Sequence, residues 1–399
     1  MKLVVLSIDA LMMEDLPYLR SFRYLSSLLK GSFVCPVMGI YPTYTYPCHA
    51  TVITGCCPDH TGIAHNQALD GRWLWERQNV KVPLLTDYAK AHGLTTAAVC
   101  WPCTGGADID YLVPELWAPE EGDDEEPVFK ANCSHEGYLY YLSHRGLLDW
   151  MRTPGMDEFA TECFVDIFRG HRPDISFLHL SRLDHSRHAH GAAPEKNLDA
   201  MKFIDSQVGR ILTSIDLQDV TFAVLGDHGH RDTDSVFNLA RALKDLGYDG
   251  RIIPHNAAFS SQVYLDGISK EEAGRVLEGL RESYPQHIDR VMSTEETERR
   301  YNLSGAFSFV LEAKGTTVFQ GAADEPLVMA PVNGDFHYSL SSHGYAPEKG
   351  PFSPLVVTGM MAEERIDLCH LTDLAPTFLS LFGIKAPGMD GVALNLSRV

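Results

Sequence analysis

The segment LVVLSIDA, residues 3–10, is an apolar run of strand length that leads straight to Asp9. Its apolar residues are continuous rather than alternating, which is typical of a strand covered on both faces. Similar runs occur at TTAAVC (95–100), ISFLHL (175–180), VTFAVLG (220–226) and PLVVTG (354–359). We therefore interpret residues 3–8 as the first strand of a mostly parallel sheet.

Helical patterns separate these strands. They begin with a nearby proline or end at a glycine, and they span VPLLTDYAKAHG (82–93), APEKNLDAMKFIDSQVGRILTSI (193–215) and CHLTDLAPTFLSLFG (369–383). Proline in the first turn and glycine after the last turn are common helix boundaries. Alternating strands and helices predict an α/β fold with helices on both faces of the central sheet.

Two stretches have the character of insertions. Residues 232–335 contain their own strand, helix and strand pattern, which we interpret as a small inserted α+β cap subdomain. Residues 1–231 and 336–399 would then form the catalytic core. Residues 104–136 are predicted to be rich in loops, and the acidic run PEEGDDEEP (119–127) within them is expected to be a solvated loop.

Composition excludes several classes of function. The chain has 399 residues and a net charge of −20, which argues against binding to nucleic-acid polymers or to an anionic membrane. It contains no run of about 18 apolar residues, so no membrane span is predicted. An acidic protein can still bind a phosphate ester when metal ions supply local positive charge. A small-molecule phosphate ester therefore remains a possible substrate.

The start of the chain and the cysteines indicate a cellular compartment. The apolar run after Met1 is too short for a signal peptide, so we expect a cytoplasmic protein. The nine cysteines, including Cys100 and Cys103 of CWPC, are then expected to be ordinary reduced thiols. The sequence does not indicate an oligomeric state.

Carboxylate and imidazole side chains follow three of the predicted strands. A single Asp after a strand is commonly a turn or cap residue, but three such strand ends form a set. Ligands of parallel sheets bind beyond the carboxyl ends of the strands, and Asp with His suits zinc and similar divalent ions. The residues at these strand ends are Asp9, Asp184 with His185, His188 and His190, and Asp227 with His228 and His230, and His343 follows much later in the chain. If their segment is helical, Asp184 and His188 lie one turn apart on one side.

The segment YPTYTYPCHATVITG (41–55) predicts a helix that begins at Thr45 or Tyr46. Threonine is a common N-cap and proline is tolerated in the first turn, so capping is one interpretation of Thr45. The other interpretation is that the Thr45 hydroxyl, at the N-terminus of the helix, is a reactive group. The local pattern alone does not decide between the two.

In their order along the chain, these segments resemble those of the alkaline phosphatase superfamily, and specifically its nucleotide pyrophosphatase/phosphodiesterase branch. The matching segments are SIDA (7–10), YPTYTYPCHATVITGCCPDHTGIAHN (41–66), DHSRH (184–188), GDHGH (226–230), SSHGYAP (341–347) and TDLAPTFLSLFGIKAPGMDGVAL (372–394). The resemblance leaves the two insertions uncovered. It implies an alkaline-phosphatase-like fold and a two-metal hydrolase of phosphodiester or pyrophosphate bonds.

The resemblance also implies a role for each site residue. One zinc ion would be held by Asp9, Asp227 and His228, and a second by Asp184, His188 and His343. Thr45 would be the nucleophile and would pass through a phospho-threonine. Metal coordination lowers the pKa of such a hydroxyl, which agrees with that role.

Four further residues are candidates for contact with a nucleotide-like substrate. By the resemblance, Asn66 would donate to a phosphoryl oxygen and Tyr46 would contact a nucleobase or other leaving group. His179 stands where the family has a tyrosine that stacks on the base. Arg182 replaces a family glutamate near Asp184, and either a phosphoryl contact or a structural ion pair is open to it.

Three alternatives to a phosphodiesterase remain. A phosphonate C–P hydrolase needs basic residues near Tyr46, and Arg72 and Lys81 are the close candidates in sequence. A phosphomonoesterase needs a further cation for the third oxygen, for which Arg182 is the candidate. A non-catalytic binding protein on this fold would be expected to have lost ligands, and all six ligand types are present.

Overall fold

The computed structural model describes residues 1–116, 124–148, 153–336 and 338–398. The strands, numbered in chain order, are β1 (Lys2–Ile8), β2 (Phe33–Met38), β3 (Thr96–Val99), β4 (Tyr111–Val113), β5 (Ile175–Leu180), β6 (Val220–Leu225), β7 (Arg231–Asp232), β8 (Ser235–Phe237), β9 (Ile252–Ala257), β10 (Ser260–Leu265), β11 (Ile288–Ser293), β12 (Phe309–Ala313), β13 (Thr317–Phe319), β14 (Val328–Met329), β15 (Ser341–Ser342), β16 (Ser353–Val357), β17 (Met360–Ala362), β18 (Cys369–His370) and β19 (Leu396–Arg398).

The α-helices are numbered in the same way. They are α1 (Leu16–Leu19), α2 (Leu25–Leu29), α3 (Thr45–Thr54), α4 (Pro58–Thr61), α5 (Leu85–Ala91), α6 (Glu126–Asn132), α7 (His135–His144), α8 (Thr153–His171), α9 (Arg182–His190), α10 (Leu198–Leu212), α11 (Leu239–Asp245), α12 (Lys270–Ser283), α13 (Thr294–Tyr301) and α14 (Leu374–Ser380).

The central sheet has eight strands in the order β18-β2-β16-β6-β1-β5-β3-β4. β1 lies in the middle and pairs in parallel with both β5 and β6. β16 runs antiparallel to both of its neighbours, β2 and β6. The remaining pairs, β3 with β4 and β5 and β18 with β2, are parallel. The mostly parallel sheet expected from the sequence is confirmed.

Both faces of the central sheet are covered. Leu3 and Val5 of β1 belong to one apolar cluster, with side chains from α3, α5 and α14. Val4 and Leu6 point the other way into a second cluster, with α8 and α10. Because successive side chains alternate across a strand, one continuous apolar run supplies both cores. The expected α/β architecture with helices on both faces is therefore confirmed.

The sequence analysis missed β2. This strand contains Pro36, which has no N–H to donate and so argues against a strand within a sheet. β2 nevertheless lies between β16 and the two-residue strand β18. Pairing with distant residues, such as Pro36 opposite Pro354, overrides the local pattern.

The segment 232–335 contains a four-stranded antiparallel sheet in the order β11-β12-β10-β9. Its apolar face packs with α11 and α12, including Leu243 and Leu277. The division of the chain into a core and a cap subdomain stays a prediction. We refer to β9–β12 below as the four-stranded sheet.

The stretch 104–136 holds more regular structure than expected. β4 forms an edge of the central sheet, and α6 begins at Glu126. Part of the acidic run, residues 119–123, lies outside the described residues. Within the described ranges, no helix is long and apolar enough to cross a membrane.

Candidate active site

A cavity of about 580 Å³ opens at the carboxyl ends of β1 and β5. Its described lining is Asp9, Tyr44, Thr45, Tyr46, His65, Asn66, Gln67, Trp73, Glu115, Met156, His179, Ser181, Asp184, His185, His188, His255, Asn256, Ala258, Val318, Phe319, Gln320, Phe336, Ser339, Ser342 and His343. Asp227 and His228, the remaining two predicted ligands, are buried and belong to the group around Asp9.

Asp9, Asp227 and His228 form the first ligand group, with one potential ligand atom from each within 4.8 Å of the others. His228 Nε2 lies 3.4 Å from Asp9 Oδ1 and 3.2 Å from Asp227 Oδ2. Both carboxylate oxygens are buried and have no hydrogen-bond partner among the described residues. The other oxygen of Asp227 accepts the N–H of Ala10 at 3.1 Å, which fixes its orientation. Unpaired buried oxygens of this kind fit a divalent cation.

Asp184, His188, His230 and His343 form the second ligand group. Asp184 and His188 lie one turn apart on α9, with Oδ1 and Nε2 3.4 Å apart, as the sequence predicted for a helix. His343 donates from Nδ1 to the carbonyl of Thr43 at 3.1 Å, which directs its Nε2 toward Asp184. The sequence analysis assigned no ligand role to His230, whose Nε2 lies 2.7 Å from Asp184 Oδ1.

The carboxylates of the two ligand groups are buried close to one another, which disfavours the ionised forms of Asp9 and Asp227. Burial, together with the carboxylates of Asp227 and Asp184, raises the pKa of Asp9 well above its usual value. Burial also raises the pKa of Asp227 to about 7 and lowers that of His343 to about 4. A metal ion binds carboxylates in their ionised form and imidazoles in their neutral form, and its positive charge would offset the repulsion between these carboxylates. The residues present therefore fit two divalent ions.

Thr45 is the first residue of α3 and does not cap the helix. The N-cap is Tyr44, and the Thr45 hydroxyl instead lies 3.1 Å from His228 Nε2. Pro47 has no N–H, and the N–H of Tyr46 is used by Asn66 Oδ1 at 2.8 Å. Among the first three residues of α3, the backbone N–H that remains for a ligand is that of Thr45, at the positive end of the helix dipole.

Asn66 and Tyr46 are brought together beside this hydroxyl. Because Asn66 Oδ1 accepts from Tyr46, its amide nitrogen is the donor that it can offer to the cavity. The Tyr46 ring centroid lies 5.3 Å from that of Trp73, and its hydroxyl donates to Glu115 at 2.9 Å. Two aromatic rings therefore stand beside Thr45.

His179 lines the cavity although its side chain is almost fully buried, whereas Arg182 is not among the described lining residues. His179 is buried between Asp9 and Glu115, with N–O distances of 3.2 and 3.1 Å. Burial lowers the pKa of His179, but hydrogen bonds to the two carboxylates raise it well above the usual value. The backbone N–H of Arg182 donates to Asp157, and its side chain does not line the cavity in the described part of the chain.

Part of the cavity wall was missed by the sequence analysis. The four-stranded sheet contributes His255 and Asn256, and the His255 ring stacks on that of His65 with centroids 3.7 Å apart. His65 Nε2 donates to the carbonyl of Asn256 at 3.0 Å. Burial lowers the pKa of His65 to about 3, so it stays neutral. The only signal for His65 in the sequence was its position next to Asn66.

The chain matches the family model of type I phosphodiesterase/nucleotide pyrophosphatase over residues 3–346. It belongs to this family. Family members similar in sequence include ectonucleotide pyrophosphatase/phosphodiesterase family member 1 of Rattus norvegicus, 22% identical over 217 residues, and that of Homo sapiens, 21% identical over 222. These matches cover 50% and 51% of this chain but only 20% and 21% of the relatives.

Solved structures show the same fold. Murine ectonucleotide pyrophosphatase/phosphodiesterase 5 superposes with a TM-score of 0.70 at 16% identity and covers 98% of this chain and 97% of its own. Phosphonoacetate hydrolase from Sinorhizobium meliloti 1021, in complex with phosphonoformate, gives 0.69 at 17% identity, with 94% of each chain covered. The family and the alkaline-phosphatase-like fold inferred from the sequence are thus confirmed.

Proposed function

We propose that the protein hydrolyses phosphodiester or pyrophosphate bonds of a small, nucleotide-like substrate with the help of two divalent ions, zinc being the expected metal. The observation that carries this proposal is the position of the Thr45 hydroxyl. It lies at the start of α3, within 3.1 Å of a residue of the first ligand group and in a cavity shared with the second.

The residues support an in-line displacement at phosphorus. The Thr45 hydroxyl loses its proton to solvent, and its Oγ1 forms a bond to phosphorus as the bond to the leaving oxygen breaks. The leaving group departs with the electron pair of that bond and takes a proton from water. The Thr45 N–H and the Asn66 amide donate to phosphoryl oxygens. Water then attacks the phospho-threonine and releases Thr45. Divalent ions held by Asp9, Asp227 and His228 and by Asp184, His188 and His343 would supply positive charge that lowers the pKa of a nearby hydroxyl or water and offsets charge on the phosphoryl oxygens.

The metal proposal predicts a specific loss in two variants. Asp227→Asn removes a carboxylate from the first ligand group and His343→Ala an imidazole from the second. Each is expected to reduce bound zinc from about two ions per chain to about one, because each group loses a ligand atom. Elemental analysis of protein purified without chelator measures this. Unchanged metal content in both variants would contradict the assignment.

The charge of the cavity favours a diester. No Lys or Arg is found among the described lining residues. A monoester dianion carries one more charged oxygen than a diester, and that oxygen is best held by a fixed cation. Tyr46 and Trp73 instead offer aromatic surface to an organic substituent. An inactive form of murine ectonucleotide pyrophosphatase/phosphodiesterase 5 has been solved in complex with AMP, which supports a nucleotide-like substituent.

A phosphonate C–P hydrolase is the second candidate, because phosphonoacetate hydrolase shares the fold. Its substrate carries a carboxylate, for which the sequence offered Arg72 and Lys81. Arg72 is exposed and paired with Asp70 at 2.8 Å, and Lys81 is also exposed. Neither lines the cavity as described. The same holds for Arg182, the cation that a phosphomonoesterase would use.

The test of the proposed function is a comparison of substrates at one pH with zinc present. We expect kcat/KM for bis-p-nitrophenyl phosphate, or for the p-nitrophenyl ester of a nucleoside monophosphate, to exceed that for p-nitrophenyl phosphate about tenfold or more. One missing charge-assisted hydrogen bond accounts for a difference of this size. Phosphonoacetate serves as the third substrate. Faster cleavage of the monoester, with a loss in Arg182→Ala, would show that the substrate class is wrong.

A further inference from the structure

Glu115 is a buried carboxylate that the sequence analysis left without a role. It follows β4, within the stretch 104–136 that the sequence analysis interpreted as an insertion and that lies inside the family match over residues 3–346. Its Oε1 accepts the Tyr46 hydroxyl at 2.9 Å, and its Oε2 lies 3.1 Å from His179 Nδ1. Both oxygens are therefore engaged by the protein, which argues against Glu115 as a direct substrate contact.

His179 continues this connection to the first ligand group. Its Nε2 lies 3.2 Å from Asp9 Oδ2, and its Nδ1 also faces the carbonyl of Cys100 at 3.2 Å. All of these neighbours are oxygen acceptors, so the His179 ring is held by donation on both sides. With Oδ2 used in this way, Asp9 presents Oδ1 toward His228, the oxygen that lacks a hydrogen-bond partner.

One carboxylate thus connects two parts of the site. Glu115 accepts the hydroxyl of Tyr46, the residue that follows Thr45 on α3. Through His179, it fixes which oxygen of Asp9 faces the first ligand group. Replacing this carboxylate would remove an acceptor of the buried Tyr46 hydroxyl and would leave the carbonyl of Cys100 as the remaining described acceptor for His179 Nδ1. The His179 ring, and with it the Asp9 carboxylate, would then be held less firmly.

We propose that Glu115 is a positioning residue that orients Asp9, through His179, for metal binding and holds the Tyr46 ring in place beside Thr45. The part that concerns Tyr46 and substrate rests on the proposed hydrolysis, whereas the part that concerns Asp9 rests only on the proposed metal binding. The stretch 104–136 then contributes to the active site and is more than a surface insertion.

The experiment is a zinc titration against a competing chelator of known affinity. It is made in the His343→Ala background, in which the first ligand group is expected to be the remaining zinc site. Glu115→Gln keeps the size of the side chain but replaces one acceptor oxygen by an NH₂ group. We expect zinc affinity to fall about ten- to a hundredfold, as is typical when the hydrogen-bond partner of a ligand is lost.

A matched control is Glu312→Gln. Glu312 is also buried, but it pairs with Arg290 and Lys349 at the four-stranded sheet, outside the cavity lining. This variant is expected to bind zinc as the parent does. Equal losses in the two variants would show that removing any buried carboxylate is enough, and would overturn the proposal.

Two further variants separate the two contacts of Glu115. His179→Asn should reduce zinc affinity as Glu115→Gln does, and combining the two should cost no more than either alone. Tyr46→Phe, with His343 intact, should leave zinc affinity unchanged but raise KM for an aromatic diester. If Glu115→Gln does not fold, His179→Asn carries the test. Unchanged zinc affinity in whichever variant is folded overturns the proposal.

The zinc arm does not depend on catalysis. If the parent protein cleaves no diester yet Glu115→Gln weakens zinc binding, the proposed function fails while the positioning role stands. If the parent cleaves diesters and zinc affinity is unchanged in Glu115→Gln, the positioning role alone fails.

Discussion

Replacing Thr45 by alanine is expected to lower kcat for a phosphodiester on the order of 10⁴-fold or more, since one member of a catalytic unit is lost. Its hydroxyl lies 3.1 Å from His228 Nε2 at the mouth of α3 and makes no cap to the helix. Thr45→Ser keeps an oxygen at the same place and should retain a measurable part of the activity. Rapid quenching and mass spectrometry of the parent should detect phosphate on Thr45.

A control for this variant lies on the same helix. Thr54 ends α3, is buried outside the cavity, and donates its hydroxyl to the carbonyl of Ala50. Thr54→Ala should keep activity close to that of the parent, with any loss appearing in the unfolding temperature. Wild-type turnover by Thr45→Ala would contradict the role of Thr45 and would direct attention to Thr43 or to water as the nucleophile.

Removing the metal is expected to abolish hydrolysis and to destabilise the fold. Without cations, the first ligand group leaves buried carboxylate oxygens of Asp9 and Asp227 unpaired. A ligand present at about 1,000 times its Kd stabilises the folded state by about 4 kcal/mol for each site. Dialysis against a chelator should therefore reduce activity to background and lower the unfolding temperature by several degrees. Zinc, added back in stoichiometric amounts, should restore both.

Two comparisons make this result specific. A variant that combines Asp227→Asn with His343→Ala should respond little to the chelator, because it has little metal to lose. Full activity of the parent after exhaustive chelation, confirmed by elemental analysis, would contradict a metal-dependent reaction.

The part of the site that was predictable lies directly after strands. Asp9 follows β1, Asp227 follows β6, and Asp184 with His188 follows β5, so a parallel sheet brings them to one edge. Each of these positions is set by a local pattern that can be read from the chain. Apolar runs likewise predicted β1, β3, β5, β6 and β16, and the proline and threonine pattern of residues 41–55 predicted a helix that begins at Thr45 or Tyr46, of which Thr45 is the first residue of α3.

The remainder depends on contacts between distant positions. Glu115 meets Tyr46 across 69 residues, and His230 meets Asp184 across 46. No local pattern of hydrophobicity or turn residues encodes such a pair, and a single Glu or His carries no signal of its own. Pro36 is a case in which the local pattern misleads. Proline has no N–H to donate and therefore argues against a strand, but pairing of β2 with distant strands outweighs this local effect.

The four-stranded sheet contributes to the wall of the cavity but not to the two ligand groups, so the shape of the cavity can change separately from the ligands. β9 forms part of the cavity wall through His255 and Asn256, yet none of the residues of the two ligand groups comes from this sheet. It contacts the segment 41–66, which contains Thr45, by donation from the Gln262 amide to the carbonyl of Ala64. Exchanging the loops and strands of 252–265 is therefore a way to redesign which molecules are accepted without rebuilding the reaction centre.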